Sequence, residues 1–326
     1  TARLLYRYYL KTLQALDVSG IICLGSTTPQ HRILMEICRE RGIRIIFTHP
    51  GVLPGTLAFE EGGEVGESPV TLHADRFRSL PVTSEEDRQA ADVWRYLRES
   101  GLNRKIQPKN GLPEDSERRI DKSKPIVLFM GQNDVESYMV PYTEETKKYW
   151  SPIFESSTDA AIYLANLCGK NGWNFIYTPH PMYSQPEQVE RLPANTIFIE
   201  FGNINDIIDR CDVAVTILSS ANYVALIRKK PVVMLGYNQI RGKGCCYEAY
   251  EENRIEAAIK EALEKGFTDE QRKKFQEHVA RLLKYYLYDD MQPRELRYGK
   301  AAPKSFEDFY ELNRLLLKDT KQEHQK

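Results

Sequence analysis

The 326-residue chain has little of several things, and each shortage narrows what it can be. Charge of one sign is not in excess: 45 Lys+Arg stand against 46 Asp+Glu, a formal net charge of −1. Nucleic-acid binders ordinarily carry a basic surplus, so no nucleic-acid partner is expected. No apolar run approaches the roughly 18–20 residues that a membrane-spanning helix needs. No secretory signal is read either, because Thr1-Ala2-Arg3-Leu4-Leu5-Tyr6-Arg7 is basic and aromatic without an apolar core. Cysteine is sparse, at Cys23, Cys38, Cys168, Cys211, Cys245 and Cys246, and no two have CxxC spacing. The cysteines read as buried free thiols of a reducing cytosol, and no metal site is expected. Internal repeats and low-complexity tracts are lacking too.

What is present is a globular balance, 41% hydrophobic and 28% charged, over a length suited to two domains. Residues 3–16 read as an amphipathic helix, with Leu4-Leu5-Tyr8-Tyr9 as its apolar face against a sheet. It leads into the apolar run 20–25, a helix over 32–41 closed by Gly42, and the strand Ile43-Arg44-Ile45-Ile46-Phe47. A Rossmann unit starts on a strand, so this order implies sequence upstream of Thr1 and an incomplete N-terminal domain. A loop rich in Gly and Pro follows over 48–66, then a helix over 87–100 and a polar linker over 105–124. The second half alternates more strongly. Strands at 125–131, 173–177, 196–200, 213–218 and 231–235 are continuous apolar runs, as in parallel sheets covered on both faces. Helices are expected at 158–170, 204–210, 221–228, 254–265, 270–288 and 306–317, with a polar tail over 318–326. The class is α/β with parallel sheets.

Five places could carry chemistry. Thr178-Pro179-His180-Pro181 follows a strand, and the two prolines stiffen the turn. His180 there can donate to a phosphate oxygen or protonate a leaving phosphate, and it can equally well fill a turn. Ser219-Ser220, one strand further along the same sheet, begins a helix, where hydroxyls, free N–H groups and the helix dipole favour an anion. A plain N-cap is the alternative. Glu60-Glu61-Gly62-Gly63 could supply a general base or be a solvated acidic turn. Gly131-Gln132-Asn133-Asp134-Val135-Glu136 ends a strand, so Gly131 and Gln132 could line a cleft, and Asp134 and Glu136 compete with Glu60 and Glu61 for the catalytic carboxylate. The basic loop 236–244 fits neither a P-loop nor GxGxxG. Its Arg241 and Lys243 could close over phosphates or be solvated.

The order Glu60-Glu61-Gly62, His180-Pro181, Ser219-Ser220 resembles the short motifs of bacterial sialyltransferases. It also resembles the wider capsule polysaccharide biosynthesis family, which includes Kdo transferases. Residues 217–236, the loop 49–63 and Gly131-Gln132 are similar to that family too, so the likeness spans about residues 20–250. Where the family has Glu-Ala-Leu and Gly-Lys-Pro, this chain has Val224-Ala225-Leu226 and Lys229-Lys230-Pro231. The resemblance implies two Rossmann-like domains of GT-B type with the active site in the cleft between them. Residues 1–104 would hold the acceptor, 105–124 link, 125–300 hold the donor, and 301–326 form a C-terminal helix and tail. It implies a glycosyltransferase with no cofactor beyond its donor, and since no metal-ligand cluster is visible in the sequence, metal-independent transfer is expected. That donor would be a nucleotide sugar, CMP-linked by resemblance, used with a glycan acceptor for capsule or surface polysaccharide. His180, Pro181, Ser219 and Ser220 would hold the nucleotide phosphate beside Gly131 and Gln132. The base would be Glu60 or Glu61 by the sialyltransferase pattern, or Asp134 by the Kdo pattern. The place would be the cytoplasm, at the inner face of the membrane beside polysaccharide machinery. A nucleotide-sugar epimerase or hydrolase, and a non-catalytic component of a polysaccharide assembly complex, are the alternatives.

Overall fold

The computed structural model describes residues 2–109, 111–134, 137–139, 143–180, 189–290 and 304–317. The first part runs α1 (Ala2–Leu16), β1 (Gly20–Leu24), α2 (Pro29–Arg41), β2 (Arg44–Pro50), β3 (Thr56–Glu60), then α3 (Pro69–Leu72), α4 (Ala74–Ser79), α5 (Ser84–Ser100) and α6 (Glu114–Arg118). The second runs β4 (Ile126–Met130), α7 (Glu144–Lys147), α8 (Ser157–Asn171), β5 (Asn174–Thr178), β6 (Thr196–Phe198), α9 (Ile204–Arg210), β7 (Val213–Thr216), α10 (Ala221–Ile227), β8 (Val232–Met234) and β9 (Tyr247–Glu248). The end comprises α11 (Glu252–Lys265), α12 (Asp269–Arg281), β10 (Leu287–Asp289) and α13 (Phe306–Leu317). Local chemistry sets many of these bounds. Thr28 caps α2 with Pro29 in its first turn, and Gly42 closes it in the left-handed conformation. Thr83 and Glu86 form a capping box on α5.

The first sheet has the order β1-β2-β3-β10. Only β1 and β2 are parallel; β3 joins β2, and β10 joins β3, antiparallel. The expected loop over 48–66 therefore contains a strand. Its Gly and Pro residues make the turn, where Gly51 N donates to the Thr56 carbonyl at 2.7 Å and Gly55 takes φ 72°. Behind the turn, Thr56–Glu60 alternates buried and half-buried as a strand should. The expected helix over 270–288 also divides. After α12 a π turn (Leu282–Tyr286) delivers the chain to β10, whose pairing with β3 overrides local helical periodicity. In α1 the packed face is Tyr9, Leu10 and Leu13 against α2, while Leu4 and Tyr8 are exposed. β1 is the edge of the sheet and leaves Ile22 and Leu24 exposed.

The second sheet is parallel throughout, in the order β6-β5-β4-β7-β8-β9. This is a Rossmann order, with the sequence direction reversing between β4 and β7. The connection after β4 packs α8 on one face, where Ala160, Leu164 and Cys168 meet Phe129 and Phe175. The connection after β7 packs α10 on the other, where Ala225 and Leu226 meet Leu128 and Ile176. His180 and Ser219 are thus not on neighbouring strands: β4 lies between β5 and β7. The architecture is α/β with two Rossmann-like sheets. No helix among the described residues is long and apolar enough to cross a membrane.

The two sheets are tied by elements that cross between them. Ala90, Val93 and Leu97 of α5 share a core with Leu128 and Met130 of β4. Trp94 Nε1 donates to the Ile227 carbonyl at 2.7 Å. Lys243 Nζ donates to the Val70 carbonyl at 2.8 Å, and Arg281 Nε to that of Leu80 at 2.9 Å. α13 returns to α4, where Arg76 donates to the Leu316 carbonyl at 2.6 Å. Closest of all is Gly66, where an added Cβ would stand 1.5 Å from the Tyr149 carbonyl oxygen. Gly66→Ala should therefore destabilise the protein by about 2 kcal/mol or more, since backbone must move. Gly42→Ala, whose Cβ would meet nothing and whose φ of 67° costs strain alone, should cost about 1 kcal/mol. Denaturant unfolding of both variants checks this, and an equal or smaller loss at Gly66 would refute the close seam.

Candidate active site

The sheet topology directs attention to the carboxyl ends of β4, β5, β6 and β7. A cavity of about 270 Å³ lies there. Gly131 follows β4, Thr178-Pro179-His180 ends β5, Glu200-Phe201-Gly202 follows β6, and Ser219-Ser220 follows β7; all of them line it. Val52 and Pro54 from the β2–β3 turn close one side, and residues 102–108 close another. Open α/β sheets bind ligands at such a reversal of strand order, because the two diverging connections leave a crevice.

The floor is held by hydrogen bonds between strand ends. Thr216 Oγ1 donates to the Met130 carbonyl at 2.9 Å, and the Gln132 side-chain oxygen accepts from Leu218 N at 3.0 Å. Gly131 packs so tightly that an added Cβ would meet Tyr177 at 3.0 Å and the Pro179 backbone at 3.3 Å. Ser219 Oγ accepts from Ala221 N at 3.4 Å, whereas Ser220, the N-cap of α10, makes no capping bond with its side chain. The Ser220 hydroxyl instead accepts from Arg104 at 2.7 Å, and the same guanidinium reaches the Pro50 carbonyl at 3.4 Å. Lys105 Nζ lies 2.7 Å from His180 Nε2. An ammonium can only donate, so the imidazole accepts there. Desolvation by the cleft walls pushes Arg104 below its ordinary value, although solvent still reaches it. Desolvation and then the Arg104 charge do the same to Lys105. Two cations held close together favour an anion that relieves their mutual repulsion.

Of the residues singled out in the sequence, the cavity therefore gathers Gly131, His180, Ser219 and Ser220. Pro181 and Glu136 lie outside the described residues. Gln132 supports the floor without lining the cavity. Asp134 is buried, and its carboxylate accepts from Ser157 N at 2.6 Å, at the start of α8. Burial pushes that carboxyl up, and bonds from Ser157 and Gln132 pull it down only in part. Glu60 is also buried, away from the cavity lining. It accepts from Tyr286, whose hydroxyl takes a bond from Gln239 at 3.3 Å, and His49 Nε2 stands 3.5 Å away. Burial raises Glu60 above the usual carboxylate range against the pull of His49, Tyr286 and Ser68. Burial pulls His49 down, but Glu60 outweighs it and leaves the ring raised. Glu61 faces outward, 3.2 Å from Arg44 Nε.

The loop 236–244 is neither solvated nor in the cavity. Arg241 lies 3.9 Å over the Tyr237 ring, and Lys243 is buried in the seam. Sequence reasoning passed over Arg104, Lys105, Glu200 and Phe201. The available signals were a basic pair set between Leu102 and Ile106 and a Glu-Phe-Gly at a strand end, the same strand-then-glycine pattern as Met130-Gly131. Among the described residues no three metal-ligating side chains converge.

No family model matches the chain, and no curated protein matches it in sequence. Among solved structures it is similar to a beta Kdo 2,4 transferase, KpsC of Thermosulfurimonas dismutans. The TM-score is 0.59 at 17% identity, over 92% of this chain and 88% of that one. It is also similar to the beta Kdo 2,7 transferase of KpsC from the same organism. There the TM-score is 0.54 at 18% identity, over 86% of this chain and 81% of that one. At these identities the likeness establishes the fold, a two-Rossmann architecture of glycosyltransferase type.

The seam beside the cavity has a pH signature. Burial pushes the Lys243 amine down to about 7. An unfolded lysine keeps its proton to about pH 10.4. Between these values the unfolded state binds more protons, so stability rises with pH across that window. Lys243→Met should remove that rise, worth at most about 1.4 kcal/mol per pH unit. Denaturant unfolding at pH 7, 8 and 9 tests it: parallel pH dependences for the two proteins would show that Lys243 is charged in the fold.

Proposed function

We propose that the protein is a glycosyltransferase that binds a nucleotide-activated sugar in this cavity. The observation that carries the reading is the convergence of Arg104, Lys105, His180, Ser219 and Ser220 on one cavity at the strand-order reversal. Two cations, two hydroxyls and an imidazole suit a diester or pyrophosphate better than any neutral ligand. Exposed Phe201 at the rim gives a nucleobase a ring to stack on. The sugar would then point towards Val52 and Pro54, where the acceptor enters.

Transfer breaks the bond between the anomeric carbon and the leaving phosphate oxygen. Arg104 and Lys105 stabilise the charge that develops on that phosphate, so transfer without a metal ion is the reading adopted. His180 is placed to donate to the same oxygen once the ligand displaces its contact with Lys105. The attacking hydroxyl must lose a proton. None of Glu60, Glu61 and Asp134 lines the cavity, and Glu200 is the carboxylate among the described residues that does. We assign Glu200 the role of base, and give Glu60 and Asp134 the roles of holding the seam and the start of α8. A CMP-linked keto sugar as donor, a surface or capsule glycan as acceptor, and a place at the inner face of the membrane complete the proposal. Six unpaired thiols fit a reducing compartment.

Calorimetric titration with CMP and UDP tests the site. Arg104→Ala and Ser219→Ala/Ser220→Ala should each weaken the preferred nucleotide roughly 10- to 100-fold, as charge-assisted bonds are lost. Unchanged affinity in both variants would move the nucleotide elsewhere. With donor and acceptor in hand, Glu200→Gln should lose about 10²–10⁴-fold in kcat at unchanged nucleotide affinity. Glu60→Gln should chiefly lower thermal stability. A turnover loss confined to Glu60→Gln would refute the assignment, and turnover of the donor without any acceptor would make the protein a hydrolase or epimerase.

A further inference from the structure

A second concave surface lies outside the cleft, between α5 and α12. Arg95 and Arg98 of α5, Lys229 just after α10, and Arg272 and Lys273 of α12 surround a cavity of about 420 Å³, with Trp94 in its wall. Asp269 is the single carboxylate in that lining. Five cations against one acid is a strong local excess in a chain whose net charge is −1. The existing ion pairs do not neutralise it. Arg95 pairs with Asp92 at 3.1 Å, both largely exposed, and Arg98 approaches Glu99 only to 4.0 Å. Such pairs exchange readily with solvent. Arg272 pairs with Asp269 through a terminal nitrogen, but its Nε is buried without a hydrogen-bond partner. Lys229 and Lys273 have no ion-pair partner among the described residues.

Two further features are not accounted for by stability. Lys229 is held at φ 62°, a left-handed conformation that glycine adopts freely and lysine does not. The chain thus keeps a strained lysine where glycine would fit the backbone, and this lysine faces the groove. In addition, Arg272 and Lys273 sit near the amino-terminal end of the 13-residue α12, where the helix dipole opposes cations and favours an anion.

We propose that this groove is a second anion site, built for a compact polyphosphate: pyrophosphate itself or the diphosphate of a nucleotide. Three guanidinium groups offer paired donors that match phosphate oxygens, two ammonium groups add charge, and all five line one concave surface, which suits a compact ligand over an extended polymer. The site is separate from the cleft but touches it, because Trp94 in its wall donates to the Ile227 carbonyl and Ile227 lines the cleft.

The test uses the full chain carrying Arg104→Ala and Lys105→Ala, so that the cleft's own cations do not contribute. Calorimetric titration with pyrophosphate at low salt should show saturable one-to-one binding. Adding Arg272→Ala and Lys273→Ala should weaken it at least about tenfold, with a shallower dependence on salt. Lys229→Gly should weaken it too, yet raise the melting temperature, because the backbone strain goes with the lysine. A parallel titration with a nucleoside diphosphate separates the two ligand sources: equal affinity means phosphate alone is read, and tighter binding means the base rests on Trp94. Absence of saturable pyrophosphate binding overturns the proposal. So does undiminished affinity in the groove variants, or binding confined to a long sulfated polymer.

Discussion

The reversal of strand order between β4 and β7 is the constraint on which the rest of the molecule depends. Once α8 covers one face of the sheet and α10 the other, the chain leaving β4 and the chain leaving β7 must part. Backbone cannot fill the gap, so a cavity opens where polar strand ends converge. Thr216 and Gln132 close its base by bonding across the two strands, which satisfies buried groups that would otherwise be orphaned. Gly131 lets the turn after β4 approach the turn after β5, and a side chain there would push them apart.

The cavity acquires its charge from outside the sheet. Arg104 and Lys105 come from the segment joining the two halves of the chain, and both are already committed to polar partners, Ser220 and His180. This arrangement keeps two like charges close together in the cleft with no ion-pair partner among the described residues. The resting contacts are weak substitutes for a phosphate, which could take bonds from both cations at once. The same economy of buried charge governs the seam. Glu60, Tyr286 and Gln239 come from three separate stretches and are linked by hydrogen bonds, with His49 3.5 Å from the Glu60 carboxylate, and Lys243 finds only carbonyl oxygens. A carboxylate buried in such a network is fixed in place, which suits holding two units together better than moving a proton to substrate.

Much of this was legible in the sequence because it is local. Strands buried on both faces read as unbroken apolar runs, helix ends announce themselves through Thr28, Gly42 and Gly101, and a polar motif directly after a strand must lie at that strand's carboxyl end. That placed His180, Ser219, Ser220 and Gly131 at strand ends, where they line one cavity. The failures have the same cause in reverse. Gly and Pro concealed β3, since a hairpin turn and a loop share their composition. A helical period carried the expected α12 past the point where pairing with β3 ends it.

Sequence by itself determined most of the helices, the buried parallel strands and which residues stand at those strands' ends, because dihedral preference, capping and periodicity act over a few residues. Only the tertiary structure decided what those residues meet. Tyr286 reaches Glu60 across 226 positions, Arg104 reaches Ser220 across 116, and Lys105 reaches His180 across 75. No local pattern specifies such partners, and burial then changes the chemistry of each. The same glutamate that reads as a base in an exposed loop becomes, once desolvated behind β2 and β3, part of the join between two sheets.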